Sequence, residues 1–240
     1  MGNCDMDQFQ KILSEQKNVD IFFRDDDVDN DDINLRRLLT IFSSRKIPLI
    51  AGVIPKLLTA DCRKLLSEFS DYTELVQHGW QHKNHEIIER KCEFGGSRNF
   101  AEQLSDLAAG QKIMNEAFGE SWFPAFIPPW NRCTEITHRA LAELGFRVLS
   151  KLRGSQPPVT GFQFQEISVT LDIFRWQKGA TLRSSDELYE ELARQISEGN
   201  PIGIMLHHQV MTDEAFTFIE QLLEELKKAP GVRFQTLGSM

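Results

Sequence analysis

Residues 74–86 read Glu-Leu-Val-Gln-His78-Gly-Trp-Gln-His82-Lys-Asn-His85-Glu, and half of the chain's six histidines fall within eight positions here. His78 and His82 are four apart, a spacing that one helical turn brings to a single side. Two imidazoles joined by a carboxylate from elsewhere form a three-ligand divalent metal site with positions left open for water. A surface histidine cluster, or histidines satisfied by backbone groups, is the plainer reading of the same spacing. The second chemistry-bearing stretch is Arg24-Asp25-Asp26-Asp27. Three neighbouring carboxylates repel one another strongly when buried without a cation, whereas one carboxylate ligand beside one carboxylate base explains why several are wanted. An EF-hand is excluded, because Asn30 stands where its loop needs Gly and Arg36 where it needs Glu. His85-Glu86-Ile87-Ile88-Glu89 lacks the second His of a zincin helix. His85 itself fits an outer contact or plain surface equally well.

Three further groups carry weaker signals. Pro128-Pro129-Trp130-Asn131 is a stiff turn bearing an aromatic plate, suited to stacking on a sugar ring or to simple burial. His207 closes an apolar run and is a candidate general acid. Asp172 and Trp176 lie in Leu-Asp-Ile-Phe-Arg-Trp, and an Asp paired with His207 would hold its tautomer and keep it protonated near neutral pH.

The elements that must position these residues follow from apolar periodicity. Strands are expected at Val19–Phe23, Ile47–Ile54, Thr73–Gln77, Phe123–Ile127, Phe146–Leu149, Phe164–Val169, Pro201–Leu206 and Val232–Gln235. Helical spacing recurs between them: Leu35/Leu38/Leu39/Phe42, Ala60–Phe69, Leu104 to Met114, Glu135–Leu144 ending at Gly145, Leu188/Leu192/Ile196, and Phe216 to Leu226. Asp31 and Asp32 suit the start of the helix that follows them, and Ser184–Glu187 reads as a capping box. Strand and helix alternate about seven times with no linker or internal repeat. That pattern predicts parallel strands with helices packed outside, as a closed barrel or an open doubly wound sheet. Asp25–Asp27, His78–His85, Pro128–Asn131 and His207-His208 each come directly after an apolar strand. In a barrel, equivalent strand ends meet at one mouth.

With 240 residues the chain is expected to form one domain, 1–240, large enough for a substantial core. A net charge of −8 argues against a nucleic-acid partner, and no basic stripe is present. Cys4, Cys62, Cys92 and Cys133 are scattered and form no Cys-x-x-Cys pair, as expected of reduced thiols. The start, Met-Gly-Asn-Cys-Asp-Met-Asp, has no signal-peptide features, Met6 stands where a myristoylation motif needs Ser or Thr, and no apolar run approaches a membrane span. A cytoplasmic location is the expectation.

With these clusters in order over roughly residues 19–210, the chain resembles the polysaccharide deacetylase family, the NodB-homology domain. That family's pattern is Asp-Asp after the first strand, His-x-x-x-His after the third, a Pro-aromatic turn, an Asp…Trp segment and a late Leu-His. The resemblance implies a distorted (β/α) barrel of about seven strands and metal-dependent removal of acetyl groups from an N-acetylated sugar. Carried over, His78 and His82 are metal ligands. Alignment on Val28 makes Asp27 the third ligand and Asp26 the catalytic base, while a shift by one would give Asp26 and Asp25. His207 becomes the general acid with Asp172 orienting it, and Arg24, Pro129, Trp130 and Trp176 are expected at the substrate. The implied cofactor is a divalent ion, zinc foremost, and the implied partner a small-molecule or glycan substrate. The third motif departs from the pattern, because Phe126 or Ile127 stands where its Arg braces the catalytic Asp; Arg24 is the candidate to supply that charge.

Overall fold

The computed structural model describes residues 4–240, so Met1-Gly2-Asn3 of the start read above lie outside the described residues. The chain forms helix α1 (Cys4–Glu15), strand β1 (Val19–Val28), α2 (Ile33–Arg45), β2 (Leu49–Val53), α3 (Ala60–Glu68), β3 (Thr73–His78), α4 (Phe100–Phe118), β4 (Trp122–Ile127), α5 (Glu135–Glu143) and β5 (Val148–Leu149). The short strands β6 (Gln165–Glu166), β7 (Leu171–Asp172), β8 (Phe174–Arg175) and β9 (Thr181–Leu182) follow. Then come α6 (Ser185–Glu198), β10 (Ile202–Leu206), α7 (Asp213–Lys228) and β11 (Val232–Phe234). The main sheet runs β6-β5-β4-β3-β2-β1-β10-β7 with every pair parallel, and β11 adds to the start of β1.

The sheet curls into a distorted barrel. Residues 165–169 bond to the β5 side, through Gln165 N to Arg147 O, Ile167 N to Leu149 O and Val169 N to Lys151 O. The same stretch continues into β7, which pairs with β10 at the opposite edge. One segment therefore links the two ends of the sheet, and the choice between barrel and open sheet falls to the barrel. Strand alternation divides the apolar residues accordingly. Phe22, Ile50, Val76, Ala125, Ile127, Val148, Val169, Met205 and Leu237 fill the inside. Ile21, Phe23, Ala51, Val53, Leu75, Leu149, Ile204 and Leu206 face the helices. The lower end is plugged by the C-terminal segment, where Leu237 N and Gly238 N donate to the half-buried Glu74 carboxylate at 2.8 and 2.9 Å. Burial raises the Glu74 pKa, and these amide bonds only partly offset it.

Several expectations need correction. Helix α1 has no counterpart among the expected elements; Phe9 packs on Tyr189 of α6 with ring centroids 5.1 Å apart. β1 does not stop at Phe23 but runs on through all three aspartates. The expected strand Phe164–Val169 contracts to β6, because the chain turns there from one sheet edge to the other. The capping assignments hold: Asp32 accepts from Leu35 N, and Ser184 and Glu187 form the box.

The tightness of the interior yields a test. A Cβ on Gly203 would lie 2.2 Å from Phe22 Cζ and 2.7 Å from Val169 Cα, and the latter is backbone. Gly203→Ala is expected to destabilise the fold by about 1–3 kcal/mol through overpacking. It should read as a lower denaturation midpoint at unchanged slope.

Candidate functional site

The site begins with an irregularity in β1. Between Asp25 and Val28 the strand advances three residues while β2 advances two, from Ala51 to Val53. That is a β-bulge, and Asp27 sits in it with a left-handed φ of +68°. Regular alternation would send Asp27 outward with Asp25. The bulge turns it inward instead, so Asp26 and Asp27 both face the barrel mouth.

β3 delivers His78, whose Nδ1 donates to the Ile127 carbonyl of β4 at 3.1 Å. A carbonyl only accepts, so Nδ1 carries the proton and Nε2 faces Asp27 Oδ1 at 3.0 Å. His82 Nε2 lies 3.2 Å from the same oxygen. The helical turn expected over His78–His82 is absent: Gly79 and His82 are both left-handed, at φ +58° and +53°, and a tight loop brings the imidazoles together. Ligand atoms of Asp27, His78 and His82 all lie within 4.8 Å of one another. Two ligands about 2.0–2.1 Å from one tetrahedral ion stand roughly 3.3 Å apart, so this donor set fits a single divalent cation.

The charges within the set are strongly coupled. Burial alone would raise the Asp27 pKa, but the hydrogen bond and charge of His78, with His82 beyond it, hold it well below the usual carboxylate range. Burial alone would lower His78, yet the Asp27 hydrogen bond and the charges of Asp26 and Asp27 raise it. Burial and the neighbouring His78 push His82 down to about 4, leaving it a neutral donor at ordinary pH.

Asp26 has its own partner. Arg24, two residues earlier and on the same strand face, donates from Nε and Nη2 to both Asp26 oxygens at 2.8 Å. The guanidinium is fully buried and also donates to Ser150 Oγ and Asn131 Oδ1 at 2.9 Å each. Arg24 therefore supplies the brace that the third motif lacks. Arg24, expected at the substrate, is fully buried with its donors engaged inside the protein. Asp25 points the other way and is buried with His208, accepting from its N and Nδ1 at 2.8 and 2.7 Å. His208 Nε2 lies 3.3 Å from Asp32 Oδ2, an ion-pair contact outside hydrogen-bond geometry. Burial by itself would lower His208, but Asp25 and Asp32 override it and push its pKa up to about 10.

The rim carries the aromatics. Trp130 and Asn131 are consecutive left-handed residues, both at φ +56°, and the Trp130 ring lies 4.4 Å from that of His82. Trp176 is half-exposed and meets His207 edge-on at 4.7 Å. Pro129, expected at the substrate, is buried and packs close to Gly79. Asp172 does not bond to His207. Its carboxylate accepts from Phe174 N at 2.9 Å and Trp176 Nε1 at 2.7 Å, while His207 Nδ1 is buried without a partner. Asp172 thus contacts His207 through the indole rather than by a direct hydrogen bond. His85 stays outside the ligand group; its N donates to Cys92 O, and its buried Nε2 has no partner. Asn131, Ser150 and Glu93 are the contributors that spacing missed. Glu93 accepts from Trp80 N and Gln81 N inside the histidine loop.

No family model matches the chain, and no curated protein matches it. Solved structures do. A protein from Mycobacterium smegmatis assigned as a polysaccharide deacetylase aligns with a TM-score of 0.72 at 17% identity, over 93% of this chain and 89% of that one. The Puue allantoinase aligns at 0.66 and 13%, over 93% and 88%. A family 4 acetyl xylan esterase from Clostridium thermocellum, in complex with a cobalt ion, aligns at 0.57 and 13%, over 91% and 88%. The chain has the polysaccharide deacetylase (NodB-homology) fold. No helix among the described residues is long and apolar enough to cross a membrane.

Two buried ion pairs make measurable predictions. Arg24→Ala strands the Asp26 carboxylate and is expected to cost about 3–5 kcal/mol in denaturant unfolding. Adding Asp26→Asn should recover part of that loss. For His208 the folded pKa lies above the ordinary histidine value of about 6.5. Its ionic contribution is then complete below that pH and is lost as pH climbs through about 10. Urea unfolding between those limits should show stability falling more steeply with pH in the wild type than in His208→Gln. Equal slopes would remove the charged pair.

Proposed function

We propose that a chain with the polysaccharide deacetylase fold and this donor set is a metal-dependent hydrolase that removes acetyl groups from an N-acetylated sugar or sugar precursor. The observation that carries the reading is the convergence of Asp27, His78 and His82 within 4.8 Å, beside the separately braced Asp26. Asp27, His78 and His82 would hold the ion, and zinc suits a mixed nitrogen and oxygen donor set. When bound there, a divalent ion supplies Lewis-acid polarisation of a carbonyl and acidification of water.

The remaining work belongs to the chain's own side chains. Asp26 accepts a proton from the attacking water, and Arg24 fixes both of its oxygens so that the base presents one orientation. His207 donates a proton to the departing amine nitrogen. Trp176 packs against His207 and is itself anchored by Asp172, so the acid is held from its flank rather than through its ring nitrogen. Trp130, packed on His82, and Trp176, packed on His207, offer two indole faces for a sugar ring.

A second reading keeps the chemistry and changes the substrate. The likeness to an allantoinase supports hydrolysis of a cyclic amide by the same residues. A panel of N-acetylated sugars assayed beside cyclic ureides separates the two. Turnover of neither, with a cation bound, would instead favour a catalytically silent sugar-binding barrel.

Acetate release is expected to stop on exhaustive chelation and to return on adding a divalent ion. His78→Ala should abolish cation binding. Asp26→Asn should lower kcat about 10²–10⁴-fold while leaving cation affinity nearly unchanged. Cation affinity should also fall toward acid pH, because protons compete for the imidazoles. Release that survives chelation would sink the metal-dependent reading.

A further inference from the structure

We propose that Glu93 is a positioning residue for the cation site, an internal anion around which the loop between His78 and His82 folds. The inference rests on the metal reading above. Glu93 is fully buried, and it lies in the loop after β3 rather than on any strand of the barrel. Its carboxylate collects backbone amides: Oε2 accepts from Trp80 N at 3.1 Å, and Oε1 from Gln81 N at 2.8 Å and Lys83 N at 3.5 Å. Gln81 and Lys83 flank His82 on either side. Successive N–H groups aimed at one anion form a charge-assisted concavity, here filled by the protein's own side chain.

The surroundings are cut to this carboxylate. A Cβ on Gly79 would stand 2.3 Å from Glu93 Oε2 and 2.5 Å from Pro129 Cγ, so the loop admits only glycine there. Gly79 O accepts from Gln77 Nε2, and Trp80 O accepts from Lys56 N. On the other side Glu93 is fixed by its neighbours: Cys92 N donates to Asn84 Oδ1, and Phe94 bridges to Cys133. Between these anchors His82 adopts its left-handed backbone, at φ +53°. A non-glycine residue holds such a conformation only where its surroundings over-determine it. The amides on both sides of His82 bind Glu93, so the carboxylate sets where His82 Nε2 points. Without it the loop is free to relax, and Nε2 leaves its place 3.2 Å from Asp27 Oδ1.

A residue that merely stabilises the fold would behave differently, and the other end of the barrel supplies the control. Glu74 is likewise a carboxylate bound by two backbone amides, but it holds the lower plug. The full chain, stripped of metal by chelation, is titrated with Co²⁺ by calorimetry and by visible absorption. Wild type, Glu93→Ala, Glu93→Gln and Glu74→Gln are compared, with folding checked by circular dichroism. Glu93→Ala should weaken Co²⁺ binding about 10–100-fold, the range for groups that orient metal ligands. Glu93→Gln, which keeps one acceptor oxygen, should recover part of the affinity. Glu74→Gln should lower the melting temperature and leave affinity at the wild-type value. Wild-type affinity in folded Glu93 variants overturns the inference alone, as does equal weakening by Glu74→Gln. Should Glu93→Ala not fold, Glu93→Gln decides by the same criterion. Absence of Co²⁺ binding in the wild type overturns this inference together with the function on which it rests.

Discussion

Three consecutive carboxylates can be buried in one strand only if each has its own counter-charge. Asp25, Asp26 and Asp27 meet that requirement in three directions. Asp25 faces outward to His208 beneath α2. Asp26 faces inward to Arg24. Asp27, displaced by the bulge, faces the two imidazoles at the mouth. Repulsion between neighbours only a residue apart is thereby converted into three separate attractions. Without the bulge, Asp27 would join Asp25 on the outer face, where His208 is already shared with Asp32, and the imidazoles would have no carboxylate to meet.

Backbone strain follows the same map. Five non-glycine residues among those described have a left-handed φ. Lys46 is the C-terminal cap of α2, an ordinary place for it. The other four are Asp27, His82, Trp130 and Asn131, and all four lie at the mouth. Each turns a side chain that regular geometry would point elsewhere: the Asp27 carboxylate, the His82 imidazole, an indole, and the amide that braces Arg24. Strain concentrated in this way marks a preorganised site and needs rigid support around it. The support here is the parallel sheet below and the Glu93 clamp beside it.

Side-chain identity and spacing made part of this legible in advance. His78 and His82 were visible because four residues separate them and an apolar strand precedes them. A shared rim was visible because four polar clusters each followed such a strand, while the distorted barrel was what the family resemblance implied. What escaped has physical reasons. The bulge leaves no mark on the apolar pattern, since the residues it displaces are themselves acidic. Asn131 and Ser150 meet the site through Arg24, from which they are 107 and 126 positions distant in the chain. Spacing cannot report a contact of that kind. Helix α1 is a different case: Met6, Phe9 and Leu13 stand at helical intervals, so its signal was present in a region read only for targeting. The Asp172–His207 pairing failed because Trp176 lies between them in function, offering an indole N–H to one and a ring edge to the other.

The fold uses its buried and half-buried carboxylates in two distinct ways. Glu74 and Glu93 bind backbone amides, and Asp32 caps α2 through Leu35 N; all three shape the chain locally. Asp26 and Asp27 meet side-chain nitrogens, and Asp25 meets both the backbone N and the ring Nδ1 of His208, so the three tie the barrel's elements to one another. The first kind can lose its charge and keep its geometry in part, because an amide oxygen still accepts from N–H. The second kind cannot, because its partners are cations or imidazoles that are then left unmatched. Asp27 is the extreme member of the second kind. Its oxygen is shared by two imidazoles of opposite tendency, one drawn toward protonation and one away from it. A lone proton can satisfy only one of those nitrogens, whereas a divalent cation would satisfy both at once, which is why the proposed function places a cation here.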